Sequence, residues 1–397
     1  MKKKILYIIP TPRKLGKLYT NFIESEKAGG LLLVFATIIS LFFANSKWQT
    51  DYIGIWHQQL GSHTLVDWIN DGLMAIFFLL IGLELVREIK SGELSNIKNA
   101  ALPIFAAFGG MIIPAGIFLF LNYGLPTQSG AGIPMATDIA FAIGILSLLG
   151  NRVPLSLKIF LTALAVMDDL GAIIVIAIFY TKTIAFTSLF TSLGIWLFLL
   201  ILRKMKVKSL IPYLIGGAFM WYFMLHSGIH ATITGVLLAF AIPYGDGGEK
   251  TSAYKLQDFL HKPVAFFILP VFAIANTGIP IAANWVEGLS HPNSIGVILG
   301  LVLGKPIGIF LFSLLGATLG LCALPSDLKW KNIIGVGFLG GIGFTMSIFI
   351  TLLAFDHAET INDSKIAILI ASLIAGSIGF VALSLTLKKK KKKKHLV

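Results

Sequence analysis

The sequence has 397 residues, of which 56% are hydrophobic and 13% are charged, and its mean hydropathy is +0.85. Soluble domains are about 25% charged and rarely repeat apolar runs of about 20 residues, so this composition excludes a soluble protein and indicates an all-α polytopic membrane protein. The net charge of +13 lies in clusters beside apolar runs without an aromatic-and-basic RNA motif, which indicates contact with anionic lipid at the cytoplasmic face and not with nucleic acid.

Apolar runs follow one another along the chain and predict about 12 transmembrane helices. The predicted spans cover about 29–44, 66–90, 100–121, 128–149, 155–180, 185–203, 209–223, 226–243, 259–279, 294–318, 331–355 and 364–387. No long linker separates them, so we predict a single integral membrane transporter domain over residues 1–397.

The basic residues predict the orientation of these spans. Of the 32 Lys and Arg residues, 28 fall on one side of the predicted topology, three fall on the other, and Lys305 lies within a span. The positive-inside rule therefore predicts that both termini are cytoplasmic. These termini are a short segment of about 1–28 and a Lys-rich tail over 388–397.

The fourth and eleventh spans carry helix-breaking residues. Gly130, Gly132 and Pro134 interrupt the fourth span, and five glycines between 335 and 343 interrupt the eleventh. Unwound backbone at membrane depth is tolerated only where protein buries it or it lines a cavity. The two spans hold corresponding positions in the triplets 3–5 and 10–12, which enter the membrane from opposite sides. We therefore predict inverted-topology repeats with a site near the bilayer midplane.

The fifth span contains the strongest chemical signal, the adjacent acids Asp168 and Asp169. Each intramembrane charge costs roughly 2.5–3.5 kcal/mol to insert, so the pair costs roughly 5–7 kcal/mol before repulsion. Such a pair requires a site that is wet, paired or protonated. The structural alternative is two protonated acids hydrogen-bonded to nearby backbone, whereas the functional interpretation is an ion-binding pair.

Two further charges lie at similar depth, Asp138 in the fourth span and Lys305 in the tenth. Three acids and one base leave a net negative site, which suits a cation. Lys305 could pair with Asp138 or Asp168, or offset the partial charges at broken helix ends. A lysine that extends to the membrane interface is the structural alternative.

Carboxylates, the Thr137 hydroxyl and freed backbone carbonyls are hard oxygen ligands, which suit Na⁺ or Li⁺ better than a soft metal. Because a buried pair of like charges is unstable when both groups are ionised, protons compete with the cation for the same oxygens. Competition of this kind, combined with alternating access, produces antiport.

Five segments resemble the signature runs of bacterial NhaA-type sodium/proton antiporters, over about residues 20–385. They are WINDGLM at 68–74, GLELVRE at 82–88, GIPMATDIAFA at 132–142, LTALAVMDDLG at 161–171 and GGIGFTMSI at 340–348. NhaA-type antiporters are among the transporters from which inverted repeats are known, so the repeats and the resemblance are not independent indications.

The resemblance implies a twelve-helix fold in which the two interrupted helices cross, in the bacterial inner membrane. It implies electrogenic exchange of Na⁺ or Li⁺ for H⁺, activated at alkaline pH, with no cofactor and no enzymatic activity. Asp168 and Asp169 would carry the ions, with Asp138, Thr137 and Lys305 around them. It also implies a homodimer formed through the loop at about 45–65, whose polar and aromatic composition suits a hairpin.

In the family, a cytoplasmic cluster of acids, an arginine and histidines is associated with the pH response. Glu84, Arg87, Glu88 and His261 resemble it, His230 matches a family position linked to the pH response, and Asp258 is a further candidate close to His261. Gln257 and Asp258 depart from the family pattern of an acid and a histidine, which leaves the pH threshold open. An ordinary ion-pair cluster at a helix end is an equally good interpretation of Glu84, Arg87 and Glu88, and a structural role is favoured for His230.

Other functions fit the sequence less well. A sodium-coupled symporter of an organic solute would also use a cation site at broken helices, but it would need more cationic or polar anchors than Lys305. A channel does not need an adjacent pair of titratable acids. A membrane enzyme would need a zinc motif of the type His-Glu-x-x-His, or a third aspartate near Asp168 and Asp169 for magnesium, and the sequence contains neither.

Overall fold

The computed structural model describes residues 12–181, 184–245, 248, 251–281 and 285–387, without the side chains of residues 12–27, 93 and 97–99. The predicted tail over 388–397 and the start of the predicted N-terminal segment lie outside the described residues.

The described chain is built of helices joined by short turns. The first eight α-helices are α1 (Pro12–Ala44), α2 (Gln49–Trp56), α3 (Leu65–Ser91), α4 (Ile97–Asn122), α5 (Ile139–Leu148), α6 (Leu155–Phe179), α7 (Phe186–Lys204) and α8 (Ile211–Leu225). The next seven are α9 (Ile233–Ala241), α10 (Ser252–Asn276), α11 (Trp285–Ser290), α12 (Pro292–Thr318), α13 (Trp330–Gly340), α14 (Phe344–Ala354) and α15 (Ala358–Thr386).

Shorter elements complete the fold. They are the 3₁₀ helices Glu93–Ser95, Pro126–Met135 and Gly150–Arg152, and the strands β1 (Gln59–Leu60) and β2 (His63–Thr64). The two strands pair antiparallel, so the predicted loop at about 45–65 does contain a hairpin. Single π-helical turns interrupt three long helices, at Trp68–Leu73 in α3, Val264–Ile268 in α10 and Gly300–Gly304 in α12.

Seven helices in the described part of the chain are long and apolar enough to cross a membrane: α3, α4, α6, α7, α10, α12 and α15. They coincide with predicted spans 2, 3, 5, 6, 9, 10 and 12. Predicted spans 4 and 11 fall on two bent pairs. The 3₁₀ helix Pro126–Met135 meets α5 at 41°, and α13 meets α14 at 48°. Predicted spans 1 and 7 fall on the shorter apolar helices Ala28–Ala44 and Ile211–Leu225.

One predicted boundary differs clearly from the structure. The eighth span was predicted over about 226–243, but α9 has nine residues, Ile233–Ala241. Gly228 has a φ of +83°, a left-handed backbone conformation that turns the chain before α9 begins.

Helices α4 and α12 cross with their backbones in contact. A Cβ atom on Gly109 would collide with the Gly308 carbonyl, and a Cβ atom on Gly308 would collide with that of Gly109. Pro306 packs in the same way against Gly337 of α13, where an added Cβ atom would lie 2.8 Å from the Pro306 Cα atom. These contacts fix the segment of α12 that carries Lys305.

Candidate functional site

The site is centred on the two adjacent aspartates of α6. Asp168 and Asp169 lie near the middle of this helix and are 0% and 1% exposed. Successive residues of an α-helix are separated by about 100° around its axis, so the two carboxylates face different neighbours.

Asp168 is held by two other segments. The Thr137 hydroxyl, between the 3₁₀ helix and α5, donates to Asp168 Oδ2 at 2.6 Å. The Lys305 ammonium donates to the same oxygen and to the Met135 carbonyl. Lys305 is fully buried, so these acceptors and not water stabilise its charge. The sequence left three options for Lys305, namely Asp138, Asp168 or the partial charges at a broken helix end. In the structure it pairs with Asp168 and also bonds to the carbonyl of Met135, the last residue of the 3₁₀ helix.

Asp138 links the beginnings of two helices. Its Oδ1 accepts from the Phe141 N–H at 3.0 Å, which caps α5. Its Oδ2 accepts from the Thr345 N–H at 3.2 Å and the Thr345 hydroxyl at 2.5 Å, in the first turn of α14. One carboxylate therefore satisfies donors at two helix N-termini, where the partial positive charge favours an anion.

Backbone carbonyls freed at each bend accept hydrogen bonds from the segment at the other bend. The Asp138 N–H donates to the Ile342 carbonyl at 2.7 Å, and the Ser347 hydroxyl donates to the Ile133 carbonyl at 2.7 Å. The Thr137 hydroxyl also lies 2.8 Å from the Gly340 carbonyl, so its single proton is shared between two acceptors. These contacts place the two bends against each other beside α6.

Three buried carboxylate oxygens of this site have no hydrogen-bond partner within the described ranges: Asp168 Oδ1 and both oxygens of Asp169. Asp169 lies within Coulombic range of Asp168, Asp138, Glu84 and Lys305. Leaving an ionised carboxylate buried and unpartnered is expensive, so these oxygens require either protons or a cation. Chemically, the arrangement can bind a small hard cation or protons in its place.

A second buried group connects α3 with α10. His261 Nε2 lies 3.4 Å from Glu84 Oε1, and Arg87 pairs with Glu88 at 3.0 Å. Glu84 is also within Coulombic range of Asp169, so its charge acts on both this group and the aspartate pair.

The remaining predicted residues lie apart from that group. Asp258 is exposed on α10, whereas its neighbour Gln257 is buried. His230 Nε2 donates to the carbonyl of Tyr180, which follows the end of α6, at 3.0 Å. The structure thus brings together four of the six predicted pH-response residues.

Sequence reasoning missed two side chains that complete the site, Thr345 and Ser347. Both hydroxyl groups follow the glycine run of predicted span 11 by a few residues. The available signal was a polar side chain directly after a helix break, where freed backbone groups need partners.

A helical membrane protein whose two bent helix pairs meet at a buried carboxylate–lysine cluster belongs to the class of ion-coupled secondary transporters, not enzymes. The profile of the family described as Na⁺/H⁺ antiporter 1 matches residues 20–383, and the chain belongs to this family. The resemblance found in the sequence is thereby confirmed, and the chain is a multi-pass protein of the bacterial inner membrane.

Curated relatives cover nearly the whole chain. It is 70% identical to Na⁺/H⁺ antiporter NhaA 1 of Flavobacterium johnsoniae over 93% of this chain and 97% of that protein. It is 65% identical to Na⁺/H⁺ antiporter NhaA of Flavobacterium psychrophilum, over 94% and 98% of the two chains. It is 58% identical to Na⁺/H⁺ antiporter NhaA of Dechloromonas aromatica, over 94% and 97%.

Proposed function

We propose that this chain exchanges Na⁺ or Li⁺ for H⁺ by competition of the cation and protons for Asp168 and Asp169. The observation that carries the proposal is the set of three partnerless carboxylate oxygens beside the buried Lys305–Asp168 ion pair. Hard oxygens in a site with excess negative charge suit an alkali cation. The names of the curated relatives support the choice of sodium and protons.

Lys305 acts in this mechanism as an internal competitor. Its ammonium occupies one oxygen of Asp168 in the cation-free site, and an arriving Na⁺ takes the free oxygens of Asp168 and Asp169. The Thr137 hydroxyl is within reach as a further oxygen ligand. If Asp169 takes one proton and the Lys305–Asp168 pair holds a second, and both protons leave when one Na⁺ binds the two carboxylates, more protons than sodium ions cross per cycle. The exchange is then electrogenic.

The proposed membrane architecture has 12 spans in inverted-topology repeats. Each bent pair counts as one interrupted span, and the mutual hydrogen bonds at the bends support a crossing of the two. Such repeats are known from several transporter folds, of which the NhaA fold is one example. The distribution of Lys and Arg supports cytoplasmic termini. The absence of a long linker in the sequence supports one transporter domain.

The proposed pH response resides in Glu84, Arg87, Glu88 and His261. Support comes from the position of Glu84, which contacts His261 and lies within Coulombic range of Asp169. A change of protonation in this group can therefore alter the electrostatic potential at the aspartate pair. Of the other two candidates, Asp258 is exposed on α10, and His230 bonds to the Tyr180 carbonyl just beyond the end of α6.

Two proposed partners bind outside the membrane interior. A cavity of 870 Å³ is lined by Lys90, Arg203, Lys206, Lys208 and Lys255, which suits the head group of an anionic lipid. The hairpin of β1 and β2 exposes Leu60, which supports a homodimer contact through this loop.

Proton flux in everted membrane vesicles of an antiporter-null strain tests the proposed exchange. A ΔpH dye reports dissipation of the respiratory proton gradient on addition of Na⁺, Li⁺ or K⁺ from mildly acidic to alkaline pH. We expect Na⁺ and Li⁺ to dissipate it in the wild type, and Asp169→Asn to abolish the response. The matched control is Asp51→Asn, an exposed acid of α2, which should behave as wild type. If the inserted wild-type protein leaves the gradient intact at every pH, the proposal is wrong and sodium-coupled symport becomes the leading alternative.

A further inference from the structure

The 3₁₀ helix Pro126–Met135 contains a hydrogen-bonding feature that the exchange mechanism does not use. In a 3₁₀ helix, each N–H faces the carbonyl three residues earlier, as Gly132 faces Ser129. The Tyr180 hydroxyl joins both of these groups. It accepts from the Gly132 N–H at 3.2 Å and donates to the Ser129 carbonyl at 2.8 Å. The side chain therefore enters the hydrogen-bond ladder of this helix, as a bound water does at a helix distortion.

Tyr180 is itself fixed on α6. It follows Phe179, the last residue of that helix, and its N–H donates to the Ile176 carbonyl at 3.2 Å. His230 Nε2 donates to its carbonyl at 3.0 Å, and only 6% of its surface is exposed. Because both backbone groups of Tyr180 are bonded and its side chain is buried, its hydroxyl places the 3₁₀ helix relative to α6.

The close approach depends on the absence of a side chain at Gly132. A Cβ atom there would lie 2.6 Å from the Tyr180 hydroxyl oxygen, too close for the contact as it stands. It would also lie 3.3 Å from Val175 and 3.4 Å from Ile350, which are tight but tolerable distances. Glycine at this position and tyrosine at 180 are therefore two parts of one arrangement.

The same 3₁₀ helix leads directly into the cation site. It ends at Met135, whose carbonyl accepts from Lys305, and Thr137 and Asp138 follow. Thr137 in turn contacts Asp168 on α6. The segment is thus attached to α6 at two places, through Tyr180 beyond the end of α6 and through Asp168 near its middle.

We propose that Tyr180 is a positioning residue for the cation site, which keeps Thr137 and the Met135 carbonyl at Asp168 by fixing the 3₁₀ helix on α6. The inference rests on the proposed function, since it concerns the affinity of the same site. Tyr180 does not contact the aspartates. Its removal therefore loosens the site without removing a ligand.

Tyr180→Phe tests this role, because it deletes the hydroxyl and keeps the ring. We expect about a threefold to tenfold rise in the half-saturating Na⁺ concentration, with the maximal rate within about twofold of wild type, because only part of the free energy of the two lost hydrogen bonds is lost from Na⁺ binding. We expect the same ratio at each pH, because the hydroxyl does not exchange a proton in the cycle. The matched control is Tyr213→Phe, which deletes a tyrosine hydroxyl bonded to the Val207 carbonyl at 3.1 Å, and it should leave half-saturation unchanged.

A second substitution makes the test independent of the stability of one variant. Gly132→Ala places a methyl group against the Tyr180 hydroxyl and should by itself raise the half-saturating Na⁺ concentration by about threefold or more. Combined with Tyr180→Phe, the methyl group fills the vacated space, so the double variant should be no worse than the worse single variant. Membrane content, measured by fluorescence of a fused reporter, normalises every rate.

The outcomes separate the two proposals. Wild-type half-saturation in Tyr180→Phe, or effects of the two substitutions that multiply in the double variant, would overturn the role of Tyr180. A fall in maximal rate at unchanged half-saturation would also overturn it. Failure of the exchange proposal is recognised independently, because the wild type itself would then show no Na⁺-dependent proton flux.

Discussion

Asp138 offers a prediction whose size can be worked out from its contacts. Its carboxylate accepts three hydrogen bonds, from the Phe141 N–H, the Thr345 N–H and the Thr345 hydroxyl. Asp138→Ala leaves three buried donors without their acceptor, at about 1–3 kcal/mol each, or about 3–9 kcal/mol in total. Asp138→Asn retains one accepting oxygen and turns an amide N–H₂ towards the donors on the other side, so we expect a loss of about 2–4 kcal/mol.

Thr345 supplies the intermediate members of this series. Thr345→Val removes one hydrogen bond to a charged acceptor, at about 1.5–3 kcal/mol, whereas Thr345→Ser keeps the hydroxyl. The control is Thr351→Val on the same helix, which removes only a bond to the Ser347 carbonyl one turn earlier. That bond is local to α14, so its loss should matter little.

Thermal melting of the detergent-solubilised protein measures the series. At about 2 °C per kcal/mol for a chain of this size, Asp138→Ala should melt at least about 6 °C below wild type. Asp138→Asn and Thr345→Val should melt about 3–8 °C below wild type. The two controls, Thr345→Ser and Thr351→Val, should melt within about 2 °C of wild type. If Asp138→Ala melts with the wild type, or Thr351→Val falls as far as Thr345→Val, Asp138 does not join the two helix starts as described.

Three further predictions concern a buried ion pair, a helix crossing and a left-handed residue beside the basic cavity. Lys305→Gln leaves Asp168 buried without its cationic partner; we expect a loss of about 3–5 kcal/mol that acidification or added Na⁺ partly restores, measured by melting. Gly109→Ala forces apart the α4–α12 crossing and should destabilise by about 1–3 kcal/mol or more, whereas Gly116→Ala on the same helix meets no atom within 4 Å and should be neutral or slightly stabilising. Lys206 has a φ of +62°, so Lys206→Gly should raise the melting temperature in neutral lipid but reduce the stabilisation that anionic lipid gives.

Each of these has a contradicting result. If the melting temperature of Lys305→Gln does not change with pH or with Na⁺, Asp168 is not the partner of Lys305. Equal melting of the two alanine variants of α4 would mean that the helix crossing is not close-packed. Lipid dependence of Lys206→Gly equal to wild type would separate the basic cavity from lipid binding.

The sequence predicted the centre of the site because charge is so costly in a membrane. Asp168, Asp169 and Lys305 stand out against apolar neighbours, and their depth alone suggested that they meet. The partner of Lys305 could not be predicted, since the choice depends on how the two bends place Asp138 and Asp168 in three dimensions. That arrangement is set by contacts between distant segments.

Hydroxyl groups were harder to assign than charges. Thr345 bonds to the Asp138 carboxylate, and Ser347 and Tyr180 bond to carbonyls of the 3₁₀ helix Pro126–Met135. Serine, threonine and tyrosine are common in membrane helices, and these partners lie far away in sequence. The length of the eighth span was also hard to predict. Helix α9 has only nine residues, but its hydropathy resembles that of a longer span.

The most direct test of the central claim is proton release on sodium binding to the purified protein. A pH indicator in weakly buffered detergent solution reports protons released as Na⁺ is added, at a series of pH values. Competition at Asp168 and Asp169 predicts that protons leave as Na⁺ binds, that the apparent Na⁺ affinity falls as the pH is lowered, and that Asp169→Asn abolishes the release. Na⁺ binding without proton release across the pH range, or release that survives Asp169→Asn, would contradict it.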